Sequence, residues 1–421
     1  MKRFLVLAAL SLLFMSCKGN PFSEINPGDY DFSEVLTYGT PFRLGIIGED
    51  FTRLQMHYTS VTKIDAEHYA VKGFSKVGDN VQPFEGTIQI TSLEQELPEE
   101  GEEETDESDH EDNHDVYMLV CQYNFQQADG SFEGKSYNEV YFKEGKVYTD
   151  ECYLVADGYD NNWHKGTFTS NTGLRNGQET VANWGVFRIP DSDDLDQGVG
   201  EFVPSEKYHD NGWASYFNSR FNYEEGEQQQ LVRLNAIFEE SRHWWDPEAP
   251  KLTAEIHGLM DNPMKKFDGP QHFFIEATTP AGTHTYLCPS LELPEYQDIN
   301  FDGYRDIYQS GDEERHDDGV CYLYNPQTKE FDLCPSFHEI LYKGNIALFP
   351  QEKAIMTSHN FHEKGEFFYY LYRFEDGKFV LCGTVLQKDG IYTEYDKDGN
   401  QIHQSNNIAD LSRVWAVCFA N

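Results

Sequence analysis

The chain lacks every short motif that marks a common catalytic site. GxSxG, HExxH, the P-loop and the glycine-rich dinucleotide fingerprint are all missing, so no motif supports a hydrolase, zinc-protease or nucleotide-binding reading. No CxxC pair occurs, which removes the zinc-ribbon and thioredoxin-like readings. Positive charge is scarce: 32 Lys and Arg stand against 73 Asp and Glu, for a formal net charge of −41. Such a surface repels phosphate backbones, and no basic stripe offsets it, so nucleic acid is excluded as a partner. It suits solubility, divalent cations and basic protein partners. After the first residues there is no apolar run of about 18 residues, so the body of the protein reads as soluble.

The first residues carry the address. Met1-Lys2-Arg3 precedes an apolar stretch from Phe4 to Met15, then Ser16-Cys17. A basic start, an apolar run too short to span a bilayer and a small residue before cysteine form an export signal of lipoprotein type. The expectation is cleavage before Cys17, lipid on Cys17, and a protein held in the cell envelope. It would face the periplasm or lie exposed on the outer membrane. The alternative is an ordinary secretory peptide with an incidental cysteine. With Cys17 taken as the anchor, Cys121, Cys152, Cys288, Cys321, Cys334, Cys382 and Cys418 remain. An odd number leaves at least one thiol free. Cys121/Cys152 and Cys321/Cys334 sit on neighbouring strand candidates, and either pair could form a cross-strand bridge in an oxidising compartment.

Aromatics make up 15% of the chain, with 26 Tyr and 30 Phe, a bias that favours strands. The predicted fold is mainly β: two β-rich domains of sandwich, barrel or propeller-like hairpins, joined by a short helical segment. Residues 18–30 read as a polar tether, 31–222 as the N-terminal domain, 223–250 as a helical connector and 251–421 as the C-terminal domain. Residues 98–115 form an acid-rich stretch that cannot bury apolar surface and reads as a disordered loop. His110 and His114 within it belong to that solvated loop.

Gly86–Ile90 and Val116–Val120 read as strands flanking this loop. Tyr141–Tyr148 reads as a hairpin turning at Glu144-Gly145. Leu231, Leu234, Ile237 and Phe238 recur at helical spacing, and Pro247 and Pro250 close that helix. Further hairpins are expected over Tyr324–Phe331, Phe374–Phe379 and Tyr395–Asn400.

Residues 161–217 are rich in Trp, Asn and Gly. Trp163, Trp184 and Trp213 could stack on sugar rings as a glycan platform, or fill a small β-domain core. His359, His362 and Glu363 give only a weak metal signal.

The strongest local chemistry is Asp298-Ile299-Asn300-Phe301-Asp302-Gly303-Tyr304-Arg305-Asp306. Calcium takes six to eight oxygens. Asp298, Asn300 and Asp302 at loop positions 1, 3 and 5 would supply side-chain oxygens as the chain curls. Gly303 permits the turn, Tyr304 would offer its carbonyl, and Asp306 would ligate directly or through water. Position 12 is Gln309 rather than the bidentate Glu of an EF-hand, and Asp312 is a further candidate. The calcium loop is therefore placed at 298–309, with a structural role. The competing reading is an acidic turn whose carboxylates bond to their own backbone.

This loop, followed by Tyr322-Leu323-Tyr324-Asn325 and Phe331, resembles the calcium loop and next hairpin of FG-GAP/VCBS-like bacterial envelope proteins. In particular it resembles single-loop periplasmic lipoproteins, some of which are immunity proteins that inhibit lysozyme-like peptidoglycan hydrolases. The resemblance covers roughly residues 285–385. It implies a non-catalytic binding module, tethered to the membrane by lipid, with a protein or glycan ligand in the envelope. The alternatives are a carbohydrate-binding protein or glycoside hydrolase, and a structural envelope lipoprotein.

Overall fold

The computed structural model describes residues 25–38, 42–95, 115–150, 162–172, 176–222, 226–256, 273–290, 292–310, 319–341, 345–350, 352–361 and 365–420. The signal segment with Cys17, most of the tether, nearly all of the acid-rich loop, Cys152, Asp312, His362 and Glu363 lie outside them. Among the described residues no helix is long and apolar enough to cross a membrane. The protein is mostly β, with an eight-stranded barrel and several separate sheets. Chain contacts divide it into two compact units, residues 1–213 and 214–421.

The first unit is built on an up-and-down barrel. Its staves are β1 (Arg43–Ile47), β2 (Thr52–Lys63), β3 (His68–Val77), β4 (Asn80–Gln95), β5 (Val116–Gln127), β6 (Gly130–Lys143), β8 (Trp163–Ser170) and β9 (Glu179–Gly185). Each pairs antiparallel with the next, and β1 pairs with β9 to close the ring. The short β7 (Lys146–Thr149) extends one end of β6. Closure removes the exposed strand edges that otherwise invite aggregation. Alternation along each strand fills the lumen: Leu119, Cys121, Tyr123 and Phe125 of β5 are all buried. The hairpin expected at Glu144-Gly145 forms, with both residues at positive φ.

One end of the barrel is capped. Helix α1 (Ser33–Thr37) begins where Asp31 accepts hydrogen bonds from the Ser33 amide (2.9 Å) and hydroxyl (2.6 Å). Phe32, Val35 and Leu36 pack into the barrel core. Arg43, only 1% exposed, donates to the carbonyls of Leu36 (3.0 Å) and Tyr38 and to Asn162 Oδ1 (3.1 Å).

The second unit is a series of antiparallel meanders. Strands β10 (Lys251–Ile256), β11 (Phe273–Thr279) and β12 (Gly282–Cys288) form the first sheet. The second comprises β13 (Glu295–Gln297), β14 (Asp306–Gln309), β15 (Val320–Asn325) and β16 (Glu330–Leu333). The third runs β17 (Asn345–Phe349), β18 (Ala354–Phe361), β19 (Glu366–Glu375), β20 (Lys378–Lys388), β21 (Ile391–Asp396) and β22 (Gln401–Ser405). The helical segment expected as a connector contributes directly to this unit. Helices α2 (Ala214–Arg220) and α3 (Glu227–Ser241) both fall within it, and Leu234 and Phe238 of α3 share a core with Leu252, Phe273, Ile275 and Tyr296. Leu231 packs against the same core, so the apolar stripe of α3 faces the sheet residues.

Candidate functional site

Loop 298–306 links β13 to β14, whose strands pair with Gln297 opposite Asp306. Phe301 (φ 60°) and Gly303 (φ 95°) both occupy the left-handed region, and these two residues curl the loop. Nothing lies near the position of a Gly303 side chain, so glycine is required there by backbone conformation alone.

The acid side chains are engaged with amides. Asp298 accepts from the amides of Asp302 (3.1 Å) and Gly303 (2.8 Å). Asn300 Oδ1 accepts from the Asp302 amide at 3.1 Å, and Asp302 accepts from the Tyr304 amide at 2.9 Å. Burial, then the charge of Asp302, pushes the Asp298 carboxyl above its ordinary range despite these donors. Asp306 is 0% exposed, and its two oxygens accept from the amides of Ile299 (3.0 Å) and Tyr324 (2.8 Å). Burial raises its pKa well above the usual value. Asp306 therefore ties the start of the loop to strand β15.

Arg305 turns away from these carboxylates. It donates to the Tyr296 carbonyl (3.0 Å) and to His243 Nε2 (3.3 Å). Arg305, His243, Tyr304, Tyr324 and Lys329 line a hollow of about 60 Å³ beside the loop. Among the described residues, no group of three His, Cys, Asp or Glu side chains is placed to hold a metal ion. The residues of the predicted loop are thus brought together as a curl, with carboxylates satisfied largely by the chain itself. Carboxylate oxygens that accept one amide each keep a second lone pair. That applies to Asp298 and Asp302, which are near the surface, while Asp306 is enclosed.

The tryptophan platform is corrected by burial. Trp184 and Trp213 are both 0% exposed. Trp184 faces the lumen among Tyr123, Phe132 and His164, and Trp213 packs on Phe202 with its indole N–H donated to the Phe51 carbonyl at 2.8 Å. Neither ring presents a face to a sugar. Trp163 is partly buried, with the Lys165 ammonium 5.5 Å from its ring.

Two features had no local signal. At the barrel end away from the α1 cap, Ile47, Thr52, Val77, Phe168 and Thr180, with Glu49, Asp50 and Glu179 on the rim, line an open cleft of about 770 Å³. These residues come from five separate strands and their loops, so only barrel closure collects them. Inside the barrel, the Arg43 guanidinium sits 4.0 Å above the Tyr58 ring, and Tyr58 Oη lies 3.2 Å from His164 Nε2. Burial pushes Tyr58 up to about 12 and holds the His164 imidazole well below its usual pKa. A polar residue at an inward position of an alternating strand is the only trace this knot leaves in the sequence.

No family model matches the chain, and no curated protein matches it. Among solved structures it is similar to one titled "Structure of a Xanthomonas Type IV Secretion System related protein". That alignment has 13% identity and a TM-score of 0.28, and covers 37% of this chain and 88% of the other.

Proposed function

We propose that this protein is a non-catalytic binding module of the bacterial cell envelope, lipid-anchored through Cys17, with calcium at loop 298–306. The single observation that supports calcium is the curl at Phe301 and Gly303, which gathers Asp298, Asn300 and Asp302 on one turn. The raised pKa of Asp298, driven by burial and by Asp302, agrees with this, because a bound cation would relieve both. Asp298, Asn300, Asp302 and the Tyr304 carbonyl would hold the ion. Calcium would supply charge neutralisation there and no reaction step. The bonds Asp306 makes to Ile299 and Tyr324 give it a structural part with or without calcium. For the ligand, the resemblance of residues 285–385 favours a protein, in particular a peptidoglycan hydrolase that the module would inhibit. The buried Trp184 and Trp213 weaken the glycan alternative.

The test is a thermal melt of the protein with calcium and then with chelator. A ligand bound only by the native state raises the melting point by mass action. We expect a rise of several degrees in calcium that is lost in Asp302→Ala. Asp306→Ala, which orphans two buried amides, should lower the melting point in both conditions, through a stability loss of about 2 kcal/mol or more. Identical wild-type melts with and without calcium would leave loop 298–306 as a self-satisfied acidic turn.

A further inference from the structure

We infer that Cys321 and Cys334 form a structural disulfide that clamps the β15–β16 hairpin beneath loop 298–306. The β15–β16 register pairs Tyr322 with Leu333, so the next opposed pair is Cys321 with Cys334. The Cys334 amide donates to the Cys321 carbonyl at 2.8 Å, which continues the ladder by one step. Opposed residues in a hydrogen-bonded antiparallel pair have Cα atoms about 5.5 Å apart. Disulfides span Cα separations of about 4.4–6.8 Å. An opposed pair of this kind therefore has a Cα separation within the range that a disulfide spans.

The side chains agree. Both are thiols in the structure, 1% and 5% exposed, and they share a core with Ile299, Tyr308 and Phe337. The two thiols influence each other's titration: burial first, and then Cys334, push Cys321 well up, while Cys321 lowers Cys334. Ser336 Oγ lies 3.3 Å from the Cys334 sulfur, and also accepts from the Phe379 amide at 3.0 Å, which leaves its proton for the sulfur. Cys321 and then Ser336 lower Cys334 to about 6, so it is the member of the pair that is thiolate at neutral pH. Of the other pair raised by the sequence, Cys121 lies fully buried in the barrel and Cys152 falls outside the described residues.

The oxidant is a disulfide-bearing reagent, met once the β15–β16 hairpin has formed and brought Cys321 and Ser336 to Cys334, but before the core closes over it. Cys334 thiolate attacks one sulfur of the reagent, and one half leaves as a thiol. Cys321 then loses its proton and displaces the second half from the mixed disulfide. One reagent disulfide is reduced to two thiols as one protein disulfide forms, so two electrons pass to the reagent. The export reading supplies a compartment where such reagents occur, but the chemistry is testable outside the cell.

The experiment refolds the full chain from denaturant in a glutathione redox buffer, quenches it with acid, alkylates it in denaturant and maps its peptides by mass spectrometry. The expected product links the Cys321 and Cys334 peptides. Alkylation of both cysteines, or a bridge from either one to a different cysteine, overturns the inference. A second readout is the melt. Cys321→Ser/Cys334→Ser should melt about 5–10 °C below oxidised wild type. Its melt should not change with reductant, whereas the wild-type melt should fall when reductant is present throughout refolding. Equal melts of oxidised wild type and the double variant would also overturn it. Failure of calcium binding leaves this test unaffected, because neither cysteine is a calcium ligand.

Discussion

His164 shows how one buried side chain makes a whole barrel pH-sensitive. Its ring stacks on Trp184 at 5.0 Å, and its Nε2 meets Tyr58 Oη. Burial first, and the Arg43 charge second, keep the imidazole neutral when folded. In the unfolded chain histidine titrates near pH 6.5. Above that pH neither state is protonated and stability is complete. Below it the unfolded chain takes up a proton that the folded chain refuses, so stability falls with pH. At pH 5.5 the loss from this residue is about 1.4 kcal/mol. Denaturant unfolding at pH 7.5 and 5.5 should show this extra loss in wild type relative to His164→Gln. Equal pH slopes in the two proteins would remove His164 from the account. Nothing in the neighbouring sequence marks this histidine, because its environment is assembled from Arg43, Tyr58 and Trp184 on three other strands.

At the scale of the element, α1 is the piece whose role depends on contacts rather than propensity. At five residues it is far shorter than a helix that holds itself together in water. It persists because Phe32, Val35 and Leu36 fill the barrel end and Arg43 binds the carbonyls at its C-terminal side. Arg43→Met keeps the apolar stem and removes the donors to Leu36, Tyr38 and Asn162. We expect a destabilisation of about 2–3 kcal/mol and faster protease cleavage within residues 25–38. Unchanged cleavage would mean that the apolar contacts alone hold the cap. The hairpins behave differently. Asp376-Gly377 and Asp398-Gly399 were legible as turns from the sequence, and Asp376, Gly377 and Gly399 all take positive φ. The energetic preference behind such turns is local. Helix α3 was legible for a similar reason, its apolar spacing, but its burial against β10–β12 was not.

For the whole molecule, charge is the dominant property. With a net charge of −41 the folded chain carries strong self-repulsion, which compaction increases. Several described ion pairs, such as Lys388–Glu366 at 2.8 Å and Lys207–Asp194 at 2.8 Å, are partly or largely exposed, and such pairs contribute little. Screening should therefore help more than it harms. Raising sodium chloride from about 20 to 200 mM shortens the screening length from about 20 to 7 Å. We expect the melting temperature to rise by a few degrees over that range in chelator-treated protein. A fall would mean that attractive pairs outweigh the repulsion.

The sequence by itself determined the β-rich class, the positions of most hairpins, the α3 helix and the curl of loop 298–306. Each depends on alternation, helical spacing or turn residues within a short window, where local sterics and burial periodicity decide the outcome. Only the tertiary structure decided that β1 closes on β9, a pairing of residues 43–47 with residues near 183. Closure then set which residues line the cleft, why Trp184 is core rather than platform, and where Arg43 and His164 meet. The same holds for Asp306. Its place in the motif marked it as a ligand, while the fold placed the Tyr324 amide 2.8 Å from it and enclosed it. Strand partners far apart in the chain are chosen by the burial and hydrogen bonding of the whole unit, summed over many residues, and no single segment carries that sum.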